Sequence, residues 1–327
     1  MSLFIAPRPT TDLADIAARD YECLLCSLGY ESRSRALVEK LHVGGAAPTV
    51  HAAGFTHGHE KSYADNRAAL QSFGAEIFEV TDEGFEAWVG EWFASTGHRR
   101  VAIDISSMSR PRIAATIEAI KAAQNEQLMA DFLYVPQVHK DQELPVEIPS
   151  ALGPVSAAFA GWGPEPEQPL IILFGLGYEP YRAAAAIDSL EPALAVPFFP
   201  HGSDSNFIKD VEVANADVLR PDNPGVAKPI AYDIEDPFKC FAQLDALISM
   251  YAEREEARPL LLPLGPKIFA LVCLLASAVR EPAIPVWRVS PGLLDQPRDQ
   301  DPEDTLVTLR VSAAPVDPSV ASAPTAS

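Results

Sequence analysis

The sequence has few cysteines and no long apolar run, and each shortage excludes a class of protein. Four cysteines among 327 residues are too few for the disulfide framework of a small secreted protein. The most apolar stretches, near 170–176 and 268–279, are far shorter than the roughly 20 residues of a transmembrane helix. No cationic segment followed by a long apolar run marks a secretory signal near the N-terminus. We therefore expect a cytoplasmic protein without membrane association.

Positive charge is also scarce. The chain carries 45 acidic and 25 basic residues, for a net charge of −20, and such a charge repels polyanions. Extended DNA or RNA binding is therefore not expected, although a small anionic ligand needs only a local cluster of donors. The sequence lacks the GxGxxG, GxSxG, HExxH and P-loop motifs, and no cofactor is expected.

What the N-terminal half does contain is a regular alternation of apolar runs and amphipathic stretches. Such alternation predicts an α/β fold in which helices cover both faces of a parallel sheet. The predicted strands are 21–28, 48–55, 75–80, 99–106 and 130–136. The clearest predicted helices are 61–74, 85–96 and 112–124.

The pattern restarts in the C-terminal half. The segment PLIILFGLGYEPY matches ECLLCSLGYESRS, so that Gly177 follows Gly29 by 148 residues, and His201 follows His57 by 144. Repeated blocks in the same order predict a duplication. We therefore expect two Rossmann-like domains at 1–140 and 169–310, a proline-rich linker at 141–168 and a disordered tail at 311–327.

Ligands of parallel α/β sheets collect at the carboxyl ends of the strands, and three loops of the first half lie there. The first follows Gly29, which permits a sharp turn, and offers Tyr30 and the cationic Arg33. Glu31 in the same loop would repel a phosphate. Gly177 opens the equivalent turn of the second half, and a capped turn with solvated charges is the alternative interpretation.

The second loop contains Thr56, His57, His59 and Glu60. Such a set suggests a metal site, but the second half keeps only His201, and closely spaced loop ligands need a distant fourth to close a site. We expect no metal, and interpret Thr56, His57 and His201 as hydrogen-bonding groups.

A CxxC motif, Cys23 to Cys26, lies inside a predicted strand. A redox or metal pair would need accessible thiols. Both cysteines are therefore expected to be buried as small apolar residues.

The third loop leaves a predicted strand and enters a predicted helix, and it is the richest in polar groups. Hydroxyl and guanidinium donors at such a position could cradle an anion. Its polar residues are Asp104, Ser106, Ser107, Ser109, Arg110 and Arg112. Alternatively, Ser109 only caps the helix. The second half loses the aspartate and hydroxyls here but keeps one cation, Lys267.

The stretch VAIDISSMSRPRIAATIEAIKAAQ, with FLYVP after it, resembles the CRISPR-associated Rossmann fold (CARF) domains. Those domains have a strand ending in Asp, a hydroxyl-rich turn with a basic residue, a helix, and a strand ending in Tyr-Val. The segment Ser106-Ser107-Met108-Ser109-Arg110 stands where the family usually has Thr-Gly-Gly-Thr-Lys, so its glycines are absent. The resemblance covers about 20–136 and, more weakly, 169–292.

CARF domains pair as dimers and bind cyclic oligoadenylates in the joint groove. The resemblance therefore implies two tandem Rossmann-like domains that form an internal pseudo-dimer, as in the related SAVED domains. It further implies a sensor of a small nucleotide, such as a cyclic oligonucleotide, in prokaryotic antiphage defence. A separate effector protein from the same operon would then be its partner.

Two alternatives stay open. One is a metal-independent, ring-nuclease-like enzyme that cleaves a phosphodiester, with Ser107 or Ser109, Arg110 and His57 as its polar set. The other is a non-catalytic scaffold subunit of a defence complex.

Overall fold

The computed structural model describes residues 2–6, 13–46, 48–123, 125–140, 151–161, 166–202, 204–290 and 299–313. Parts of the predicted linker, 141–150 and 162–165, lie outside these residues, as does the predicted tail from 314 onward. The strands are β1 (Phe4–Ala6), β2 (Cys23–Leu28), β3 (Thr49–Gly54), β4 (Glu76–Glu79), β5 (Arg100–Asp104), β6 (Met129–Tyr134), β7 (Ala151–Pro154), β8 (Leu170–Gly175), β9 (Leu194–His201), β10 (Ile230–Asp233), β11 (Arg258–Pro263), β12 (Trp287–Ser290) and β13 (Val307–Ser312).

The α-helices lie mainly between these strands. They are α1 (Leu13–Ala17), α2 (Ala36–Val43), α3 (Tyr63–Ser72), α4 (Asp82–Thr96), α5 (Arg110–Ala122), α6 (Arg182–Leu190), α7 (Ser205–Ala214), α8 (Pro237–Ser249) and α9 (Lys267–Ala278). Several begin at a side-chain cap: Thr81 accepts from the third residue of α4, and Asp236 from the third residue of α8. These caps satisfy backbone donors that the first helical turn leaves unpaired.

The larger sheet has seven strands in the order β1-β13-β6-β5-β2-β3-β4. Strands β6, β5, β2, β3 and β4 are parallel, whereas β13 and β1 are antiparallel additions at one side. All six residues of β2 are buried, including Cys23 and Cys26. The predicted parallel α/β architecture and the burial of both cysteines are confirmed.

A second, four-stranded sheet has the order β10-β9-β8-β11, and all its strands are parallel. Beside it, β12 pairs with β7 in an antiparallel ladder. A parallel bridge between Leu261 and Val286 connects β11 to the start of this ladder. If the strands of the first half are counted from β2 and those of the second half from β8, the first four strands of both halves have the same spatial order, 3-2-1-4.

The chain crosses twice between the halves. After β6 it continues to β7, which pairs with β12; after β12 it continues to β13, which pairs with β6. Each half thus receives an antiparallel strand from the segment that follows the other half. The predicted boundaries differ here, because β7 lies within the expected linker and β13 runs across the expected start of the tail at 311. Both strands depend on partners far away in sequence.

Helices α5 and α9 form the packed layer between the two sheets. From Ile268 to Ala278 every residue of α9 is buried, and a helix that is apolar on all sides belongs in an interior. One continuous core contains residues of α5 and α9 together with inward-facing residues of both sheets, such as Phe132 and Phe198. The two halves therefore share their main core. Of the helices in the described ranges, none is long and apolar enough to cross a membrane.

A buried ionic cluster attaches β13 to the larger sheet. Asp131, on β6, is 1% exposed and accepts two hydrogen bonds from Arg310 at 2.6 and 2.7 Å. Its carboxylate also accepts from Arg19 at 3.0 Å and from the Tyr21 hydroxyl at 2.7 Å. Burial alone would raise the pKa of Asp131, but these partners lower it below the ordinary value. The carboxylate is held ionised and fully bonded within the protein.

We predict that Arg310→Met lowers the free energy of unfolding by about 3–5 kcal/mol, because it leaves a buried carboxylate short of its bidentate partner. Urea unfolding at neutral pH measures the change. Arg67→Met is the control, since Arg67 pairs with Glu79 on the surface and exposed pairs contribute about 1 kcal/mol or less. Equal losses in the two variants would contradict the structural role of the Asp131 cluster.

Candidate functional site

A cavity of about 320 Å³ lies at the junction of the halves, where loops at the carboxyl ends of both parallel sheets meet. Charged and aromatic side chains form most of its wall. Its lining includes Tyr30, Glu31, Arg33, Arg110, Tyr134, His139, Tyr178, Glu179, Arg182, Asp204, Phe207, Glu235, Lys267, Gln300 and Glu303. The position agrees with the general rule that ligands of α/β sheets bind outside the carboxyl ends of the strands.

Three of the cations are called the basic cluster: Arg33, Arg110 and Lys267. Arg33 is 3% exposed, and its Nε donates to Glu31 at 2.6 Å. Its Nη1 is buried and has no hydrogen-bond partner among the described residues. A buried donor without a partner is costly, and this one belongs to a residue of the cavity wall.

The other two members of the cluster reach across the junction in opposite directions. Arg110, the first residue of α5, donates to the carbonyl oxygen of Gly265 at 3.3 Å. Lys267, the first residue of α9, donates to the carbonyl oxygen of Ser106 at 2.6 Å. Neither has a carboxylate within ion-pair distance in the described part of the chain, and Nε of Arg110 is buried without a partner there. The loops of both halves therefore bring their cations to one place.

Burial dominates the electrostatics of this junction. It lowers the pKa of Lys267 to about 7, although Glu31 acts in the opposite direction. It raises the pKa of Asp104 to about 6, partly offset by hydrogen bonds from Ser106. Burial would also raise the pKa of Glu31, but Arg33 and Lys267 hold it below its ordinary value. A ligand that brings negative charge would favour the protonated, cationic form of Lys267.

The two Gly-Tyr-Glu turns make equivalent contacts. In the first, Glu31 pairs with Arg33; in the second, Glu179 pairs with Arg182 at 3.0 Å. An asparagine amide supports each turn: Nδ2 of Asn66, in α3, donates to the carbonyl oxygen of Gly29 at 2.9 Å, and Nδ2 of Asn215, directly after α7, donates to that of Gly177 at 2.7 Å. The acidic residue of each turn is therefore neutralised locally.

Part of the predicted set lines the cavity, namely Tyr30, Arg33, Arg110, Gly177 and Lys267. The rest lies outside its wall: Gly29, Thr56, His57, Asp104, Ser106, Ser107, Ser109 and His201. Thr56, His57 and His201 are exposed. Over the described ranges no cluster of three or more potential metal ligands is found.

The hydroxyls of the third loop bond mostly within the protein. Ser106 Oγ accepts from the backbone of Val135 at 2.9 Å. Ser109 caps α5 and donates to Asp82 at 3.0 Å, which is the alternative that the sequence left open for it. Ser107 Oγ is buried, with no partner in the described residues. An anion cradle made of these three hydroxyls is not assembled at the cavity.

Arg112 has a structural role. It is 0% exposed, and its guanidinium lies 3.7 Å from the centre of the Phe55 ring. All its donor nitrogens bond to groups at the carboxyl ends of β2, β3 and β4 or next to them: Ser27, Ala53, Gly54, Val80 and Asp82. The sequence predicts that both guanidinium groups of the loop bind an anion, but only that of Arg110 reaches the cavity.

Several lining residues were not predicted. The repeated Gly-Tyr-Glu turn gave a signal for Tyr178 and Glu179, because Tyr30 and Glu31 occupy the same place in the first half. No sequence signal marked Gln300 and Glu303. Both belong to the segment 299–305, called the strap, which leads into β13 and lies outside the repeated blocks. Asp299 fixes this strap to two segments, since it accepts from the hydroxyl of Ser32 in the first loop at 2.8 Å and from that of Ser62, the residue before α3, at 2.6 Å.

No family model and no curated protein matches the chain. Among solved structures it is similar to a putative universal stress protein from Pseudomonas aeruginosa UCBPP-PA14, at 12% identity and a TM-score of 0.23, covering 85% of this chain and 95% of that one. It is also similar to the cytoplasmic domain of a prokaryotic cation chloride cotransporter, at 12% identity and a TM-score of 0.26, covering 82% and 95%. Superpositions this loose carry no argument about function.

We predict that Arg112→Met lowers the free energy of unfolding by at least about 3 kcal/mol, because it leaves several buried carbonyl oxygens without donors. Chemical denaturation measures the loss. Arg110→Met is the matched control two residues earlier; it removes one long hydrogen bond, and a change within about 1 kcal/mol is expected. A larger loss in the Arg110 variant would contradict these assignments.

Lys267 should also make stability depend on pH. Its pKa falls from 10.5 to about 7 on folding, so between these pH values the unfolded chain binds more protons and stability rises with pH. Below pH 7 Lys267 is protonated in both the folded and the unfolded state, and the cost of burying its charge acts in full. We predict that the stability of the wild type relative to Lys267→Met increases by at least about 1 kcal/mol from pH 7 to 9. Urea titrations that show parallel pH dependence for the two proteins would contradict it.

Proposed function

We propose that the chain is a regulatory, ligand-sensing module that binds a small nucleotide in the cavity between its halves. The observation that carries the proposal is the basic cluster, in which a buried guanidinium nitrogen of Arg33 lacks a partner in the described structure. Phosphate oxygens are the natural acceptors for such donors. Tyr30 and Tyr178 in the same wall supply faces on which a base can stack.

The two halves form an internal pseudo-dimer in this proposal. Their common strand order, the crossing of β7 and β13, and the reciprocal bonds of Arg110 and Lys267 support it. A ligand held by groups from both halves would stabilise one arrangement of the junction over others. Regulation then follows because the ligand binds this arrangement of the junction more tightly than the others.

A sensing role is favoured over phosphodiester cleavage. An enzyme of the kind considered above would use His57 together with Ser107 or Ser109. His57 is exposed on a loop outside the cavity, and Ser109 is engaged as a helix cap. Ligand sensing requires only that Arg110 and Lys267 bind the ligand and neutralise its negative charge.

The volume of the cavity limits the size of the ligand. At about 320 Å³ it lies at the small end of the roughly 300–1,000 Å³ of small-molecule sites. A mononucleotide or a dinucleotide, linear or cyclic, suits this volume better than a larger ring. The role in antiphage defence, with a separate effector protein from the same operon, is the part of the proposal that rests on the CARF resemblance.

We predict that mononucleotides or cyclic and linear dinucleotides raise the melting temperature of the protein, because binding to the native state adds RT ln(1 + [L]/Kd) to its stability. Arg110→Ala and Lys267→Met should each weaken binding at least about tenfold, as expected for a lost charge-assisted bond. Thermal shift followed by calorimetric titration measures both effects.

Arg67→Ala is the matched control, since this exposed arginine lies outside the cavity; its binding should equal that of the wild type. Intact nucleotide recovered after long incubation is the expected outcome for a sensor. The absence of any shift, together with co-purification of an operon partner, would instead favour the scaffold.

A further inference from the structure

Three carboxylates lie in the wall of the cavity in addition to those of the Gly-Tyr-Glu turns. They are called the acidic cluster: Asp204, Glu235 and Glu303. They come from the residue before α7, the turn after β10 and the strap 299–305, and all three are half-buried. No ion pair joins any of them to a cation in the described ranges. Burial, with the charges of Asp204 and Glu235, raises the pKa of Glu303, so Glu303 lies close enough to each of the other two to be repelled by it.

An aromatic group adjoins these carboxylates. His139, Tyr178 and Phe207 contact one another edge to face, with ring centroids 5.4 to 6.0 Å apart. Asp204 caps the helix that carries Phe207 and accepts from its backbone N–H at 3.4 Å. The cavity therefore has flat apolar surfaces next to acceptors that carry negative charge.

A second observation indicates that this cavity is built for a ligand. The buried Nη1 of Arg33 has no partner among the described residues, and Arg33 and the acidic cluster line the same cavity. The carboxylates that most affect the pKa values of Arg33 and Lys267 are Glu31 and Asp104. The acidic cluster is thus not used to neutralise these two cations.

The two clusters set different requirements on one ligand. The basic cluster needs acceptors, which a phosphate provides. The acidic cluster needs donors, because an ionised carboxylate only accepts hydrogen bonds, and the aromatic group needs a planar ring. Guanine presents two adjacent N–H donors on one edge, at N1 and at the 2-amino group, which matches a carboxylate. Adenine places one donor beside an acceptor, and that acceptor would face a negative charge.

We propose that the acidic cluster makes the site selective for guanine nucleotides, with the guanine edge donating to Glu303 and its neighbours and the phosphate at the basic cluster. This inference rests on the proposed function. An ammonium group at the acidic cluster is the competing occupant, but it would use neither the flat faces of the aromatic group nor the donors of the basic cluster.

Calorimetric titration with guanosine, inosine and adenosine 5′-monophosphates, and with the linear dinucleotides pGpG and pApA, tests the inference. The guanine compounds should bind at least about tenfold more tightly than the adenine compounds, as expected for hydrogen bonds to a charged acceptor. Inosine, which has the N1 donor but no 2-amino group, should fall between them.

The variants Glu303→Gln and Asp204→Asn test which carboxylates produce the preference for guanine. An amide pairs well with adenine, so Glu303→Gln should reduce the preference for guanine to below about threefold. Asp204→Asn keeps a side chain that can cap α7 and should show a smaller reduction. Glu212→Gln is the control, since Glu212 is exposed on α7 outside the cavity and should leave the preference unchanged.

The outcomes separate the two proposals. Nucleotide binding without a preference for guanine, or with a preference that survives Glu303→Gln, overturns the inference and leaves the proposed function standing. Spermidine binding that depends on Glu303, without base selectivity, overturns it in favour of an amine. If none of the nucleotides binds, the inference and the proposed function fail together.

Discussion

The double crossing of the chain between the halves is the constraint on which the rest of the structure depends. Strand β7 completes the second half and β13 completes the first, so neither half has its full set of strands without the segment that follows the other. The Asp131 cluster fixes β13 by buried ionic bonds, and α9 lies buried between the sheets. Because the chain passes twice between halves that also share one core, the cavity at their junction belongs to the folded chain itself.

The same junction explains how an acidic protein presents cations to a ligand. Most of the protein's excess negative charge can remain in water, whereas Arg33, Arg110 and Lys267 lie in the cavity at the junction of the halves. Interactions of charges strengthen as water is excluded. A net charge of −20 disfavours long polyanions, but a small ligand inside the cavity interacts mainly with the groups that line it. Local arrangement, not net charge, decides what binds there.

The first half could be predicted from the sequence because its strands and helices alternate with clear periodicity. Strands β2 to β6 and helix α5 lie where that periodicity placed them, within a few residues. In contrast, β7 and β13 are short and find partners far along the chain. The tail is expected from 311 because the sequence there is rich in Ala, Pro, Ser and Val and low in charge, yet Val311 and Ser312 pair with β6 as the end of β13.

The candidate site was predictable to the extent that it follows from topology. Loops at the carboxyl ends of parallel strands meet, which is why Tyr30, Arg33 and Lys267 come together. The acidic cluster was not predictable, because its members belong to three segments that have no common motif. Side-chain direction was a further limit: a helix turns by about 100° per residue, so Arg110 and Arg112 project from α5 in nearly opposite directions. One therefore reaches the cavity and the other the strand ends.

The differences between the two halves affect how a ligand would be oriented. A site with equal halves can bind an unsymmetrical ligand in two equivalent ways. The third loop of the first half has Arg110, Asp104 and three serines, whereas the corresponding loop of the second half has Lys267 with Leu262, Pro263 and Gly265. Of the three carboxylates in the acidic cluster, Asp204 and Glu235 belong to the second half, and Glu303 belongs to the strap returning to the first. Under the proposed function, this asymmetry would give the nucleotide one favoured orientation, with its phosphate at the basic cluster and its base at the acidic cluster.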